Sequence, residues 1–532
     1  MASPTFKPCM QHQPMLFPPS VEELIPEGAL VRVVDSLVDG MDRSVLESAY
    51  PGGGASAYDP SMMLKVVLFC YSSGIYSSRK IAAATRENVN LMWLTGMHPL
   101  DHNTINRFRS ERIRPVFEDI FSEVVAVLAE AGYITLDTYF LDGTKIEANA
   151  NKFTFVWKNS TDRYQDALRR KVHAHLEAID EMNGEEEALA PGDPSEVDAD
   201  AIRGAADRIN ARLKAKREAG RGKDAEAREL RKASGAIGRD YLPRMEKYER
   251  QQAVFAGRKS FSKTDTDATF MRMKDDHMGN GQLKAAYNVQ AGTENQFIVD
   301  TTVHQRPGDT ACTIPHCEHV KERIGHLPAN FVADAGYGSE ENYAYLEREG
   351  AVAYVKHNEF FRECRNKSWR DDEMRVANWV RDERSDEYTC PEGRTLAFSG
   401  ESPRVSGTGY ESAVRIYECE DCSGCSRRAR CSKSADPDSP RRIQVNPTLN
   451  AFRSRASEML RTETGSALRK RRSVDVETVF GDIKRNLGFT RFTLRGLEKV
   501  TLEWRLVATG HNIRKLFLAG RRKGKGSEGA MA

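Results

Sequence analysis

Three short segments, far apart in this chain of 532 residues, each combine an apolar run with one carboxylate. The first carboxylate, Asp142, follows an apolar, aromatic run and precedes the alternation of Thr144 and Ile146, which predicts a strand. The second, Asp334, ends a short apolar strand before a turn with two glycines, and Ser339 is placed to cap the next helix. Since a carboxylate beyond the carboxyl end of a strand faces a crevice, these segments favour an α/β fold with a charged crevice.

The third carboxylate, Glu477, lies in a segment with helical periodicity. Its apolar residues recur at helical spacing: Val476, Val479, Phe480, Ile483 and Leu487. Glu477 and Lys484 are two turns apart on the opposite face. That face can bind a metal ion and a phosphate together.

Three acids and a lysine suit phosphodiester chemistry. Cleavage needs a nucleophilic oxygen deprotonated near neutral pH and stabilised charge on the leaving oxygen, and two hard cations about 4 Å apart supply both. Such cations prefer carboxylate oxygens, and three acids gathered without a cation would repel one another. Asp142, Asp334 and Glu477 are therefore predicted to bind Mg²⁺ or Mn²⁺. Three rival acids lie in the middle of the chain: Asp265, Asp267 and Asp300.

Positive charge is concentrated in the last third of the chain, although the formal net charge is only +2. Residues 453–525 contain 19 Lys and Arg against 7 Asp and Glu. Such a local excess is an electrostatic footprint for a phosphate backbone. The arginines beside Glu477, Arg471 and Arg472, are interpreted as DNA contacts, whereas the cluster at 521–525 is interpreted as a solvated tail.

Four of the ten cysteines follow the spacing Cys-x2-Cys-x2-Cys-x5-Cys: Cys419, Cys422, Cys425 and Cys431. Four thiolates are enough for a tetrahedral structural Zn²⁺. The spacing is tighter than in a usual zinc ribbon, so Cys390 is an alternative ligand in place of one of the four. The other interpretation is a loop of reduced cysteines, as in a reducing compartment.

Residues 21–130 are apolar at helical spacing, which predicts an all-helical domain. Within it, residues 77–113 have the shape of a helix-turn-helix. Asp101 or Asn103 is expected to cap the last helix, which buries Ile105 and Phe108. The residues expected on its outer face are Asn106, Arg107 and Arg109. A plain helical bundle with a polar outer face is the alternative.

Four stretches carry a resemblance to a known family: LDGTKIEANANKFTF, SFSKTDTDATFMRMKDDHMGNGQLKAAYNVQ, VADAGYGSEENYAYLE and VETVFGDIKRNLGFTRFTLRG. In this order they resemble a DDE transposase of a bacterial insertion sequence, closest to insertion-sequence family eleven eighty-two, from about Phe6 to Leu518. The resemblance implies a ribonuclease H-like catalytic core and magnesium-dependent cutting and joining of DNA. It also implies binding to terminal inverted repeats and target DNA, by a homodimer that brings two ends together.

The resemblance also assigns residues. By position, Asp142, Asp334 and Glu477 form the catalytic triad, and Glu477 with Lys484 fits the Glu-x6-Lys part of a signature in related transposases. The upstream tyrosine and arginine of that signature are not at their usual spacing, since residue 470 is Lys and residue 473 is Ser; Arg471 or Arg472 is the substitute for the arginine. Two further arginines in the last stretch are predicted DNA contacts: Arg491 and Arg495.

The predicted fold is an α/β catalytic core with a ribonuclease H-like mixed sheet and two insertions, preceded by an all-helical domain. The predicted segments are an extended lead-in at 1–20, a helical DNA-binding domain at 21–130, core parts at 131–158, 253–356 and 446–518, a charged helical insertion at 159–252, an insertion with the cysteine cluster at 357–445, and a basic tail at 519–532. The first insertion has sparse apolar positions and is expected to form a helical hairpin or coiled-coil arm.

No signal peptide or membrane span is visible, because the longest apolar run, 62–71, contains Lys65 and is too short to cross a bilayer. We therefore expect a cytoplasmic protein. Two other functions fit part of the pattern. One is a regulatory DNA-binding protein with an inactive core, against which the intact acids argue, and the other is a nuclease that cuts DNA and never joins it.

Overall fold

The computed structural model describes residues 20–50, 57–183, 188–273, 281–434, 436 and 439–529. The predicted lead-in lies outside these ranges except for its last residue. Of the segment predicted as a flexible tail, residues 519–529 belong to a helix and residues 530–532 lie outside the described ranges. Within the described ranges, no helix is both long and apolar enough to cross a membrane.

The N-terminal region is helical, as predicted. Its helices are α1 Leu30–Asp39, α2 Arg43–Ser48, α3 Pro60–Ser72, α4 Ser78–Glu87, α5 Val89–Leu94, α6 His102–Arg107 and α7 Phe117–Glu130. The carboxylate of Asp101 accepts hydrogen bonds from the backbone at the start of α6, which confirms the predicted cap. Almost all of α3 is buried, since it is apolar on every side.

The chain then forms the first strand of the central sheet and a helical insertion. These elements are β1 Thr138–Glu147, β2 Phe155–Trp157, α8 Lys158–Asn183, α9 Ala199–Glu218, α10 Ala225–Ala236, α11 Leu242–Phe255 and β3 Ser260–Ser262. The four helices enclose a core of their own, with Leu176, Ile209 and Leu230 among its buried residues. The expected hairpin or coiled-coil arm is wrong, because four helices that each supply a few apolar residues bury them against one another.

The central sheet continues after the insertion. Its further strands and two flanking helices are β4 Thr269–Arg272, β5 Leu283–Glu294, β6 Phe297–His304, α12 Thr313–Ile324, β7 Asn330–Ala333, α13 Glu340–Arg348 and β8 Val352–Val355. The order across the sheet is β6, β5, β1, β7, β8, and β4 pairs with the beginning of β5. Strands β6, β5 and β1 are antiparallel, whereas β1, β7 and β8 are parallel. A mixed α/β fold is therefore confirmed.

The second insertion forms a separate antiparallel sheet. Its elements are α14 Phe360–Arg365, α15 Lys367–Arg370, β9 Val380–Asp382, β10 Glu387–Thr389, β11 Thr395–Val405, β12 Glu411–Cys419, α16 Arg428–Cys431 and β13 Arg442–Val445. The strand order is β13, β12, β11, β10, β9. Leu396 and Tyr417 are fully buried in its own small core.

The last part of the chain is helical. Its helices are α17 Pro447–Arg461, α18 Glu463–Arg472, α19 Thr478–Gly481 and α20 Leu497–Gly529. Two π-helical turns, Ser473–Glu477 and Asp482–Asn486, flank α19. The apolar residues predicted to face the core in this segment are buried: Val476, Val479, Phe480, Ile483 and Leu487.

One continuous apolar core joins the N-terminal helices, the central sheet and α20, from Ile25 to Ile513. The end of α3 and the middle of α20 approach closely at Gly510, where a β-carbon would lie 2.9 Å from the backbone nitrogen of Ser72. Glycine is needed at this point because any side chain would push the two helices apart. The N-terminal helices are thus part of the body that carries the sheet.

Candidate active site

The register of the parallel strands places three charged residues in one row. The last row of paired residues across β1, β7 and β8 consists of Leu141, Ala333 and Val355. The next residue of each strand carries a charge: Asp142, Asp334 and Lys356. Since neighbouring strands lie about 4.8 Å apart, this row brings two acids and a lysine together at the carboxyl ends of β7 and β8.

Asp142 is held in a largely buried position on β1. Its side chain is 10% exposed, and Oδ1 accepts a hydrogen bond of 2.8 Å from the backbone nitrogen of Gly143. A β-carbon at Gly143 would overlap the side-chain amide of Gln290 on the paired strand and lie 2.8 Å from Oδ1 of Asp309. The glycine after Asp142 is therefore required by the polar side chains on the other face of β1.

Asp334 begins a tight turn that its own carboxylate stabilises. Oδ1 accepts a hydrogen bond of 2.7 Å from the backbone nitrogen of Gly336. At Gly338 a β-carbon would overlap the carbonyl oxygen of Lys356, so this glycine lets the turn lie against the end of β8. Ser339 accepts a bond from the nitrogen of Asn342 at the start of α13, as predicted.

Glu477 is linked to Asp142 through Arg472. The guanidinium donates from Nη1 to Oδ2 of Asp142 and from Nη2 to Oε1 of Glu477, both at 3.2 Å. Arg472 and Asp142 side chains are each 10% exposed, whereas that of Glu477 is 59% exposed. Arg472, a cationic side chain, thus connects Asp142 of the strand with Glu477 of the helical turn.

The π-helical turn explains the unusual spacing before Glu477. In a π-helix the backbone hydrogen bonds join residues five apart, whereas in an α-helix they join residues four apart. Arg472 lies five residues before Glu477, across the turn Ser473–Glu477, and its side chain reaches the same carboxylate. Of the two arginines predicted as substitutes, Arg472 is therefore the one whose side chain contacts Glu477.

The oxygen donors suit a hard divalent cation, and the guanidinium of Arg472 lies between two of them. In the present side-chain positions, no group of three or more His, Cys, Asp or Glu residues in the described ranges is arranged to hold a metal ion. The Tyr337 hydroxyl, which donates to Gln290, is buried near this row. Burial, and then the charges of Asp309, Asp142 and Asp334, raise the pKa of Tyr337 well above its usual value.

Two residues near the site were not found by sequence reasoning. Asp309 accepts hydrogen bonds from Asn288 at 2.8 Å and Gln290 at 3.1 Å, and a β-carbon at Gly336 would lie 3.7 Å from its Oδ2. Lys356 is the other. It directly follows an apolar strand, as Asp334 does, and that position was the available signal; no comparable signal marks Asp309.

The predicted DNA-contacting residues of the last third are placed differently from one another. Arg471 donates to Oδ2 of Asp475 at 2.8 Å and is partly exposed. Arg491 and Arg495 are exposed, but their guanidinium groups donate to the backbone carbonyls of residues 148–150, beyond the end of β1. Lys484 lies partly exposed in the second π-helical turn. Arg491 and Arg495 thus stabilise the loop at 148–150 and are also exposed to solvent.

On α6, Asn106 and Arg107 are exposed, as expected. The expectation that Arg109 faces outward is wrong. It is 2% exposed, donates to Tyr71 Oη at 2.7 Å and to the carbonyl of Tyr76 at 2.6 Å, and lies 3.8 Å from the carboxylate of Glu503. Arg109 follows Ile105 by four residues and therefore shares its buried face, where Glu503 offsets its charge.

The cysteine cluster lies at the end of the second insertion. Cys419 and Cys422 are buried in its core, and Cys390 and Cys431 contact it from the side. Cys422 Sγ accepts from the backbone nitrogen of Arg441 at 3.2 Å, while the thiol of Cys419 donates to the carbonyl of Asp421 at 3.2 Å. In these positions the thiols do not form a metal-binding group among the described residues. Structural Zn²⁺ stays a prediction.

The rival acids have local partners. Asp300 is fully buried and pairs with His319 and Arg323. Asp265 accepts hydrogen bonds from Tyr287, and Asp267 accepts one from the backbone of Leu497. These contacts stabilise the fold away from the row of Asp142 and Asp334.

Two regions of the chain match known families. Residues 389–517, which include the cysteine cluster and Glu477, match the family described as Transposase DDE domain. Residues 19–111, which include α1–α6, match the family described as Transposase domain (DUF772). A search of curated proteins found no match. Both regions are thus similar to transposase domains, the C-terminal one to a domain of the DDE type.

Proposed function

We propose that this chain binds the terminal inverted repeats of an insertion sequence and catalyses metal-dependent DNA cleavage and strand transfer. The observation that carries this proposal is the register that sets Asp142 beside Asp334, with Glu477 joined to Asp142 through Arg472. The strand order, three antiparallel strands followed by two parallel ones, supports a ribonuclease H-like core. The four sequence stretches support a place near insertion-sequence family eleven eighty-two.

In this proposal Asp142, Asp334 and Glu477 are the residues that hold Mg²⁺ or Mn²⁺. When bound, the cations activate the attacking oxygen and neutralise the leaving oxygen. The chain itself prepares two of the acids, because the backbone nitrogens of Gly143 and Gly336 fix the carboxylates of Asp142 and Asp334. Such fixed groups need little rearrangement when the phosphodiester arrives.

The proposed DNA contacts surround this crevice. Lys484, Arg471 and Arg472 come from the helical segment of Glu477, and the solvent-exposed sides of Arg491 and Arg495 lie beyond β1. The exposed Asn106 and Arg107 of α6 are proposed to read the terminal repeat, within a helical DNA-binding domain at 21–130. Two transposon ends are proposed to be held by a homodimer, which then joins them to target DNA.

The test uses labelled duplexes that carry the ends flanking the reading frame. We expect Asp142→Asn and Asp334→Asn to lower single-turnover cleavage with Mn²⁺ by at least about a thousandfold, because each loses a charged oxygen ligand while DNA binding is retained. Asp200→Asn, on the exposed surface of α9, is the matched control and should cleave normally.

A strand-transfer assay with a labelled 3′-hydroxyl end separates a transposase from a nuclease that cannot join DNA. Cleavage at the wild-type rate by Asp142→Asn or Asp334→Asn would remove that residue from the site. Sequence-specific binding without any metal-dependent cleavage by the wild-type protein would leave the regulatory alternative.

A further inference from the structure

Lys356 is a buried lysine without a polar partner. It is 8% exposed, and among the described residues its ammonium makes no hydrogen bond and no ion pair. Its close contact is the face of the Phe361 ring, with Nζ 4.9 Å from the ring centre, and Phe361 itself is 44% exposed. The residue is buried mainly through its stem, while the ammonium reaches solvent with no anionic partner among the described residues, so it is available to bind an anion there.

The backbone around Lys356 is held firmly. The carbonyl of the preceding Val355 accepts a hydrogen bond of 3.0 Å from Tyr343 Oη, and the following His357 is bonded to Ser457 at 2.9 Å. The carbonyl of Lys356 lies against Gly338 in the turn that begins at Asp334. The side chain therefore starts from a fixed point beside the second acid of the row.

Lys356 follows the last paired residue of β8, in the same row as Asp142 and Asp334. Burial lowers the pKa of Lys356, and Arg472 lowers it further, while Asp334 opposes this effect. The charge of Glu477 acts on it as well. Its place in this row, beside the turn that begins at Asp334, lets Lys356 act on the same anionic ligand as the acids of the site.

We propose that Lys356 is a phosphate-binding residue of this site, which contacts the DNA phosphate that Asp142 and Asp334 address. The inference rests on the proposed function and extends it by one residue. Lysine suits this role because its flexible stem carries a compact charge that binds phosphate oxygens. Phosphate would give the ammonium the partner that the described residues do not provide.

The experiment compares Lys356→Met, which keeps the volume and apolar stem, with Lys356→Arg, which keeps the charge. Single-turnover cleavage of the labelled end duplex should fall about 100-fold in Lys356→Met and recover at least tenfold in Lys356→Arg. End binding, measured in Ca²⁺ at several salt concentrations, should lose about one unit of salt slope in Lys356→Met. Phe361→Leu removes the ring contact alone and is the matched control, with both values unchanged.

A Lys356→Met protein with the wild-type salt slope and cleavage within threefold of wild type would overturn the proposal. Single-turnover cleavage by Lys356→Arg that is no faster than cleavage by Lys356→Met would also overturn the proposal. Thermal melting of every variant shows whether it is folded, and Lys356→Gln replaces Lys356→Met if the latter is not. A wild-type protein that binds ends without cutting them contradicts the proposed function, while the salt slope still decides whether Lys356 contacts phosphate.

Discussion

The crevice at the carboxyl ends of β7 and β8 and the helical insertion α8–α11 are both rich in charge, but they use it differently. In the crevice, Arg472 and Asp142 are largely buried and come from segments far apart in the chain. In the insertion, exposed ion pairs join nearby surface positions, such as Arg203 with Glu246 at 3.0 Å. Exposed pairs of this kind contribute about 0–1 kcal/mol, whereas buried charges persist only with strong compensation or a function.

Replacing Arg472 should have the largest effect in this comparison. Arg472→Gln removes a positive charge from beside the proposed cation site, which at an effective dielectric constant of about 20 is worth a few kcal/mol to a dication. Without the arginine, the side chains of Asp142 and Glu477 become mobile, and ordering each of them around the cation costs about 1 kcal/mol. The first effect is larger, so Mn²⁺ affinity without DNA should rise about tenfold or more. Calorimetric titration with Mn²⁺ measures it.

The neighbouring Arg471→Gln is the matched control, because Arg471 pairs with Asp475 rather than with the proposed metal-binding acids. Its Mn²⁺ affinity should equal that of the wild-type protein. Equal or weaker Mn²⁺ binding by Arg472→Gln would show that the arginine organises the acids more than it competes with the cation.

A core substitution in the insertion should act on that insertion alone. Ile209→Ala leaves a cavity among α8–α11 and should destabilise this unit by about 2–5 kcal/mol. Hydrogen exchange should therefore quicken in α8–α11 and stay unchanged in β1 and β7, with DNA cleavage retained at low temperature. Loss of cleavage by a folded Ile209→Ala protein would mean that the insertion takes part in the reaction, and the contrast between the two regions would fail.

The buried pair of Asp300 and His319 sharpens the comparison, since its charge is buried but lies outside the crevice. Burial lowers the pKa of His319, but hydrogen bonds to Asp300 and Glu118 outweigh it and raise the pKa to about 9, above the ordinary value of 6.5. The stabilisation is therefore complete below pH 6.5 and is lost as pH rises through about 9. Melting temperature should fall by a few degrees between pH 7 and pH 10.

His319→Gln should melt lower than the wild-type protein at pH 7 and change less over the same pH range. A parallel fall in both proteins would assign the pH dependence to other groups. DNA cleavage measured well below the melting temperature should be the same in both proteins, because His319 contacts no residue of the proposed site.

Sequence patterns found the parts of the molecule that depend on local periodicity. The strands before Asp142 and Asp334 alternate or run apolar to their ends, and the Ser339 cap follows from a short local pattern. The neighbouring positions of Asp142 and Asp334 depend on strand order and register, which local periodicity does not specify. The family resemblance supplied that pairing instead.

Other features of the structure could not be predicted from the sequence, each for a physical reason. The bridge from Arg472 to Glu477 depends on a π-helical turn, and helical spacing rules assume an α-helix. The insertion core is built from few apolar residues per helix, so no single helix revealed it. The prediction for Arg109 is wrong because charge favours an outer face, whereas the spacing of four residues from Ile105 indicates the inner one.

The continuous core between α3 and α20 fixes the distance between the N-terminal helices and the crevice. A separately tethered domain could slide along DNA relative to the crevice, but Gly510 and Ser72 are in contact and cannot separate without unfolding. If α6 reads the terminal repeat, the distance from that sequence to the cut phosphate is set by the protein. Base pairs inserted between the two should move the cut within the DNA sequence, while its distance from the recognised bases stays constant.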